Sequence, residues 1–173
     1  MFAFILRLLT LPWSVRLLFA ASAGSLLFAF VMQYGFGFQP CILCLMERVP
    51  YGVAALLSLT AWISGSRRVA SVCLALCAVA YLSGTGLAIF HTGVEQHWWV
   101  MTSGCAIHPL ANGTLDAMRE ALLQTVMPPC DVVTWKIFGL SMANLNVPFS
   151  AGLAVFAALS AKRAPIIKID KKT

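Results

Sequence analysis

The chain has 173 residues and is 60% hydrophobic but only 10% charged, where an ordinary soluble domain carries about 25% charged residues. Twelve basic and six acidic side chains cannot keep the surface of such a chain wet, which excludes a water-soluble enzyme, a disordered segment and a collagen-like or repeat-built chain. A net charge of +6 and a pI near 9.2 raise nucleic acid as a partner, but the basic residues form no stripe with interleaved aromatics. They fall instead at the edges of apolar runs, as in a membrane protein.

A spanning helix needs about 20 mostly apolar residues. At the start, Phe2, Phe4, Ile5, Leu8, Leu9 and Trp13 surround Arg7, so Met1–Trp13 reads as a helix lying in the membrane interface. The first span follows at about 17–34. Ala21-Ser22-Ala23 has the small residues of a signal-peptide cleavage site, yet the apolar run continues well past it, and the segment is expected to be retained. Tyr34-Gly35-Phe36-Gly37-Phe38-Gln39-Pro40 then breaks the run with glycine and proline. A second span is expected at about 49–64, closed by the turn Gly65-Ser66-Arg67-Arg68, and a third at about 69–90.

The fourth span, about 144–161, needs part of Ser141–Asn146 to cross. Between it and the third lies a long loop, about 91–143. Leu115, Met118, Leu122 and Val126 recur there at helical spacing, with Asp116, Arg119 and Glu120 on the other face. This predicts a short amphipathic helix on the membrane surface, and Trp98-Trp99 suit the headgroup layer.

Nine of the twelve basic residues (Arg7, Arg16, Arg67, Arg68, Lys162, Arg163, Lys168, Lys171 and Lys172) fall on one side of these spans, and Arg48, Arg119 and Lys136 on the other. The positive-inside rule therefore puts both termini in the cytoplasm. The expectation is one membrane domain over 1–173: an all-α, four-helix transmembrane bundle with outer loops at about 35–48 and 91–143.

Four of the six cysteines then lie outside: Cys41 and Cys44 in the short loop, Cys105 and Cys130 in the long one. Outside a bacterial inner membrane, an even set of cysteines is naturally read as disulfides. Cys41-Ile42-Leu43-Cys44 is a Cys-x-x-Cys motif, which closes a small, easily exchanged ring. Pro40 lets a helix begin just after it, so the pair sits where unpaired N–H groups favour a thiolate. Arg48 is four residues past Cys44 on the same face and adds positive charge, and Glu47 opposes that effect unless it points elsewhere. An arginine this close to the apolar slab is a functional candidate by default.

The same motif can also be half of a zinc site completed by Cys105, His91, His97 or His108. No second closely spaced ligand pair accompanies it, and redox cycling is the favoured reading. A metal-binding or transport membrane protein using the outer Cys/His set is the alternative. Cys73 and Cys77, four apart within the third span, read as small apolar packers. His97 and His108 read as solvated loop residues, and Asn112-Gly113-Thr114 as a turn with a helix cap.

Taken together, the pattern resembles the bacterial disulfide bond formation protein B (DsbB) family. The resemblance rests on Pro40-Cys41-Ile42-Leu43-Cys44 with Glu47-Arg48, His91-Thr92 ending the third span, then Cys105, Cys130, Trp135 and Phe138-Gly139-Leu140-Ser141-Met142. It covers about Leu17 to Ala161. It implies an inner-membrane, multi-pass oxidoreductase with its active site on the periplasmic side. Such an enzyme reoxidises a soluble, DsbA-like thioredoxin-fold oxidase and passes two electrons to a membrane quinone, ubiquinone or menaquinone.

By the same resemblance the redox-active disulfides are Cys41–Cys44 and Cys105–Cys130. Cys105 is attacked by the partner's thiolate, and the released Cys130 attacks Cys41. Cys44 becomes the thiolate facing the quinone, with Arg48 beside it and His91 near the ring. A related enzyme running in the reverse direction shares every one of these motifs.

Overall fold

A computed structural model describes residues 11–99, 128–131, 133, 136–137 and 139–163. Four helices dominate these residues: α1 (Leu11–Phe30), continued by a π-helical turn (Val31–Gly35), α2 (Ile42–Ser64), α3 (Arg67–Glu95) and α4 (Met142–Arg163). All four are long and apolar enough to cross a membrane. Just before α4, two-residue strands β1 (Lys136–Ile137) and β2 (Leu140–Ser141) pair antiparallel, Lys136 opposite Ser141. Gly139 supplies the positive φ (84°) of the tight turn between them.

Each helix runs past the apolar stretch that marks it in the sequence. The described part of α1 includes Trp13, and the rest of the expected interfacial helix lies outside the described residues. The turn before α3 is only Gly65-Ser66: Gly65 ends α2 in the left-handed conformation (φ 60°), and Arg67-Arg68 already open α3. At 29 residues and 1.5 Å per residue, α3 is about 44 Å long, well beyond a hydrocarbon core of about 30 Å. His91 therefore lies one turn inside α3, not at its end.

Seen from the bundle's interior, α3 packs against both α2 and α4, and α1 rests chiefly on α2. The buried residues are mostly small: Ala54, Ser58, Ala61, Ala70, Ala78, Ala88, Ser150, Ala154 and Ala157. Leu56, Ile63, Val72, Val79 and Val155 are exposed on the outside. In lipid there is no hydrophobic drive between helices, so close backbone approach and interhelical hydrogen bonds do the holding. Gly84 shows the closeness, since a Cβ there would meet Pro50 Cβ at 3.3 Å. The hydrogen bonds include Ser22 Oγ to Tyr81 Oη at 2.6 Å (α1 to α3) and Thr85 Oγ1 to Ser150 Oγ at 3.0 Å (α3 to α4).

The expected loop helix (Leu115–Val126), Met1–Thr10, Cys105, His108, Asn112-Gly113-Thr114, Trp135, Phe138 and the tail lysines lie outside the described residues.

Candidate active site

Pro40 ends the loop after α1, and Cys41 takes an extended conformation (φ −75°, ψ 173°) as the N-cap of α2. Its sulfur does the capping, accepting the Cys44 amide N–H at 3.4 Å. The spacing of three residues brings Cys44 Sγ to 3.1 Å from Cys41 Sγ, and both are free thiols. The pair expected as a disulfide is thus present in its reduced form. From α3, His91 Nε2 approaches Cys41 Sγ at 3.6 Å.

These contacts converge on Cys41. The proton shared by the two sulfurs is better placed on Cys44, because Cys41 already accepts an amide N–H and faces the imidazole. The hydrogen bond from Cys44, with those from His91 and the Cys44 amide, outweighs desolvation by burial and lowers the Cys41 thiol from 9.0 to about 4. The direction of this shift favours negative charge on Cys41 in the dithiol form.

Behind the sulfurs lies a buried polar chain. His91 Nδ1 donates to Glu47 Oε1 at 2.7 Å, and Glu47 Oε2 accepts Asn146 Nδ2 at 2.7 Å. Tyr51 Oη in turn donates to Asn146 Oδ1. Residues from α2, α3 and α4 are thereby joined, as a buried carboxylate requires. Glu95, one turn beyond His91, brings Oε1 to 3.9 Å from Nε2, and its other oxygen accepts the hydroxyl of Ser141, the last residue of β2. Glu47 is turned toward His91, although its charge still disfavours a Cys44 thiolate, and Arg48 lines the same cavity as Cys44.

Arg48 reaches toward α1. Its Nη1 donates to Gln33 Oε1 at 2.6 Å, and its guanidinium lies 5.3 Å from the Phe30 ring centre. Gln33 sits in the π-helical turn, a distortion that often marks functional sites. A cavity of about 740 Å³ opens here, lined by Cys41, Cys44, Arg48, His91 and Asn146 and otherwise largely by apolar side chains such as Phe28, Met32, Phe38 and Phe149. Its volume is that of a small-molecule site.

Cys130 is buried, disulfide-bonded, and packed in one cluster with Cys41, Leu43 and Val94. Pro128, Pro129 and Val133 line the cavity next to it. Cys73 and Cys77 belong to the separate core of the bundle. His97 is in the turn after α3, in a left-handed conformation (φ 59°), and Trp99 folds back so that its Nε1 donates to the Phe90 carbonyl at 3.0 Å.

Comparison with known proteins decides the family. The family model described as "Disulfide bond formation protein DsbB" matches residues 12–160. The chain belongs to the DsbB family. Curated relatives named "Disulfide bond formation protein B" include one from Marinobacter nauticus, 30% identical over 85% of this chain and 89% of the relative. Another, from Xanthomonas campestris pv. campestris, is 32% identical over 80% of this chain and 83% of its own length. No solved structure matches significantly. As a DsbB-family member with four helices able to cross a bilayer, the chain is a multi-pass membrane protein and a disulfide-forming oxidoreductase. The non-enzymatic metal-binding or transport reading gives way to it.

The DsbB-family site brings together Cys41, Cys44, Arg48 and His91, with Cys130 packed against the first pair. Cys105 is outside the described residues. Gln33, Glu47, Asn146, Tyr51 and Glu95 complete the site without having been assigned to it from sequence. For Glu95 the spacing of four residues from His91 was a usable signal. Asn146, in an apolar run next to Pro148, was another, since a polar amide inside a span needs a partner. Gln33, an amide near the end of the first span, carried the same mark, and Tyr51 carried none.

Proposed function

We propose that this chain is a thiol–quinone oxidoreductase of the bacterial inner membrane. It reoxidises a periplasmic, DsbA-like thioredoxin-fold oxidase and sustains disulfide formation in secreted proteins. The observation that carries the reading is the single cavity holding the Cys41–Cys44 pair and Arg48 within an otherwise largely apolar lining. Its apolar walls and the Arg48 guanidinium fit an apolar ring with carbonyl oxygens, as in ubiquinone or menaquinone. Cys44, Arg48 and His91 would hold the quinone, which when bound supplies an acceptor for two electrons and two protons.

The chain's own residues do the rest. Cys105 and Cys130 form the disulfide that meets the partner: the partner's thiolate bonds to Cys105 and releases Cys130. Cys130 then attacks Cys41, which its packing beside Cys41 supports, forming a Cys41–Cys130 disulfide and releasing Cys44. The partner's second thiolate displaces Cys105 and leaves the partner oxidised, and Cys105 in turn displaces Cys41 from Cys130, which restores Cys105–Cys130 and leaves Cys41 and Cys44 reduced. In the dithiol form Cys44 keeps its proton, and His91, held by Glu47, receives the one that Cys41 sheds. Loss of two electrons from the pair closes the Cys41–Cys44 bond, and these two protons leave with them. Arg48 offsets negative charge at the mouth of the cavity, where an unpaired anion is costly.

The nine-to-three split of basic residues supports an active site on the periplasmic side. The test is purified protein mixed with a reduced thioredoxin-fold oxidase and either quinone, following quinone absorbance. Stoichiometric quinone reduction is expected. No reduction with either quinone, or electron flow only from quinol to the partner, overturns the proposal.

A further inference from the structure

Reduction of the Cys41–Cys44 pair creates a donor set that the disulfide lacks. Both sulfurs and His91 Nε2 then lie within 4.8 Å of one another. We propose that the dithiol form is a binding site for a thiophilic divalent cation, zinc or cadmium, held by Cys41 Sγ, Cys44 Sγ and His91 Nε2. The disulfide form has no such site. The inference rests on the reading that this pair cycles between dithiol and disulfide.

Geometry is close to what such an ion requires. Zinc takes sulfur at about 2.3 Å and imidazole nitrogen at about 2.0–2.1 Å in a tetrahedron, which sets S···N edges near 3.6 Å and an S···S edge near 3.8 Å. The observed separations are 3.6 Å for Cys41 Sγ to His91 Nε2 and 3.1 Å between the sulfurs. A rotation of Cys44 toward the cavity by well under 1 Å opens that edge. Glu95 Oε1, 3.9 Å from Nε2, offers an oxygen for the fourth position, and the cavity leaves room for water in its place.

His91 is already oriented as a ligand. Its Nδ1–H is held by Glu47, which is itself fixed by Asn146. A carboxylate behind a metal-binding histidine is the common supporting arrangement. With water in the fourth position charge also balances, since two thiolates and a neutral imidazole neutralise the divalent ion. Binding forms two metal–sulfur bonds and one metal–nitrogen bond, and releases to water the Cys44 proton and any proton on Nε2. No electrons move. The cation is thus a brake on the reduced enzyme, because neither sulfur is free to close the disulfide until a chelator removes it.

The experiment uses Cys105→Ser/Cys130→Ser protein in detergent, reduced and then titrated with cadmium chloride, following the ultraviolet thiolate-to-cadmium absorption. The same preparation is titrated again after oxidation of Cys41–Cys44, a comparison that needs no further variant to fold. One cadmium per chain is expected in the reduced protein and none in the oxidised. Binding is lost in Cys44→Ser, and weakens by about ten- to hundredfold in Glu47→Gln and by more in His91→Ala. Absence of binding, equal binding by both redox forms, or undiminished binding in His91→Ala overturns the site. Quinone reduction by metal-free wild-type protein reads the proposed function separately, so failure of one is not failure of the other.

Discussion

Two pairs of cysteines occupy this bundle, and their surroundings separate them. Cys73 and Cys77 sit four apart in the first half of α3, among alanines and serines. The polar neighbours of Cys77 are Ser58 Oγ and the Ala54 carbonyl, each at 3.7 Å. Cys41 and Cys44 sit three apart at the first turn of α2, where an amide N–H, a second thiol and an imidazole converge on one sulfur. A thiol becomes a nucleophile when donors stabilise its anion and stays a small apolar packer when they are missing. Depth alone does not decide, since Cys41 is 5% exposed and Cys73 6%.

The largest effect is expected from removing sulfur from one pair or the other. Cys41→Ser and Cys44→Ser should each reduce quinone-linked turnover to background. Cys73→Ala with Cys77→Ala should leave turnover near wild type and lower stability by about 1 kcal/mol per site. The check is steady-state quinone reduction alongside thermal unfolding in detergent. Loss of turnover in a folded Cys73→Ala/Cys77→Ala protein breaks the comparison.

A smaller effect, confined to the outer pair, is expected from Arg48→Gln. A hydrogen bond to a charged group is worth about 1.5–3 kcal/mol, so half-saturating quinone should rise about ten- to hundredfold. Disulfide exchange with the partner, followed as the mixed disulfide on gels, should hardly change. Equal slowing of both steps would remove Arg48 from the cavity's chemistry and make it a support for α1 through Gln33.

The pH dependence sharpens the same contrast. With its thiol lowered to about 4, Cys41 is a thiolate above that pH and loses reactivity only as pH falls through it. Alkylation of reduced Cys105→Ser/Cys130→Ser protein by iodoacetamide should therefore hold its rate from neutral pH down to about 5, then drop. His91→Ala should move that midpoint upward, because it deletes one of the groups facing the thiolate. A midpoint left near 9 in the unsubstituted His91 protein would contradict the convergence of donors on Cys41.

Much of the outer pair was legible beforehand, for a physical reason. Proline, cysteine spacing and Arg48 are local in sequence, and helix-start chemistry acts over a single turn. The four spans were legible because charge is excluded from hydrocarbon. Their ends were not, since Arg67-Arg68 and His91–Glu95 continue a helix beyond the slab where hydropathy gives no signal. The Glu47–His91–Asn146 chain was hidden because it joins three helices whose mutual rotation no local pattern encodes. Sequence placed Glu47 as a drawback to the thiolate, whereas packing turns it into the support of the histidine that faces Cys41. The lean of negative charge toward Cys41 draws partly on the same chain, through His91.

The smallest effects are expected from two glycines of α3, one beside each region. At Gly84, in the middle of the bundle, an added Cβ lies 3.3 Å from Pro50 Cβ and 3.4 Å from its Cγ. Alanine gains about 1 kcal/mol of helix propensity there, but the rigid ring cannot swing away, and overpacking costs about 1–3 kcal/mol. Gly84→Ala should thus lower stability modestly and leave turnover intact. At Gly93 the added Cβ falls 2.0 Å from the Trp99 ring, a far worse clash on paper. Trp99, however, is 38% exposed and comes from the turn after the helix, so it can lift off. Gly93→Ala then forfeits the stacking of Trp99 on Phe90, with ring centres 5.7 Å apart, worth about 0.5–1.5 kcal/mol, and recovers part of it as helix propensity. Its melting point should stay close to wild type, while tryptophan emission shifts to the red as the ring meets water. The reverse order, a stable Gly84→Ala and an unfolded Gly93→Ala, would make the outer end of α3, rather than its middle, the tightly packed part of the bundle.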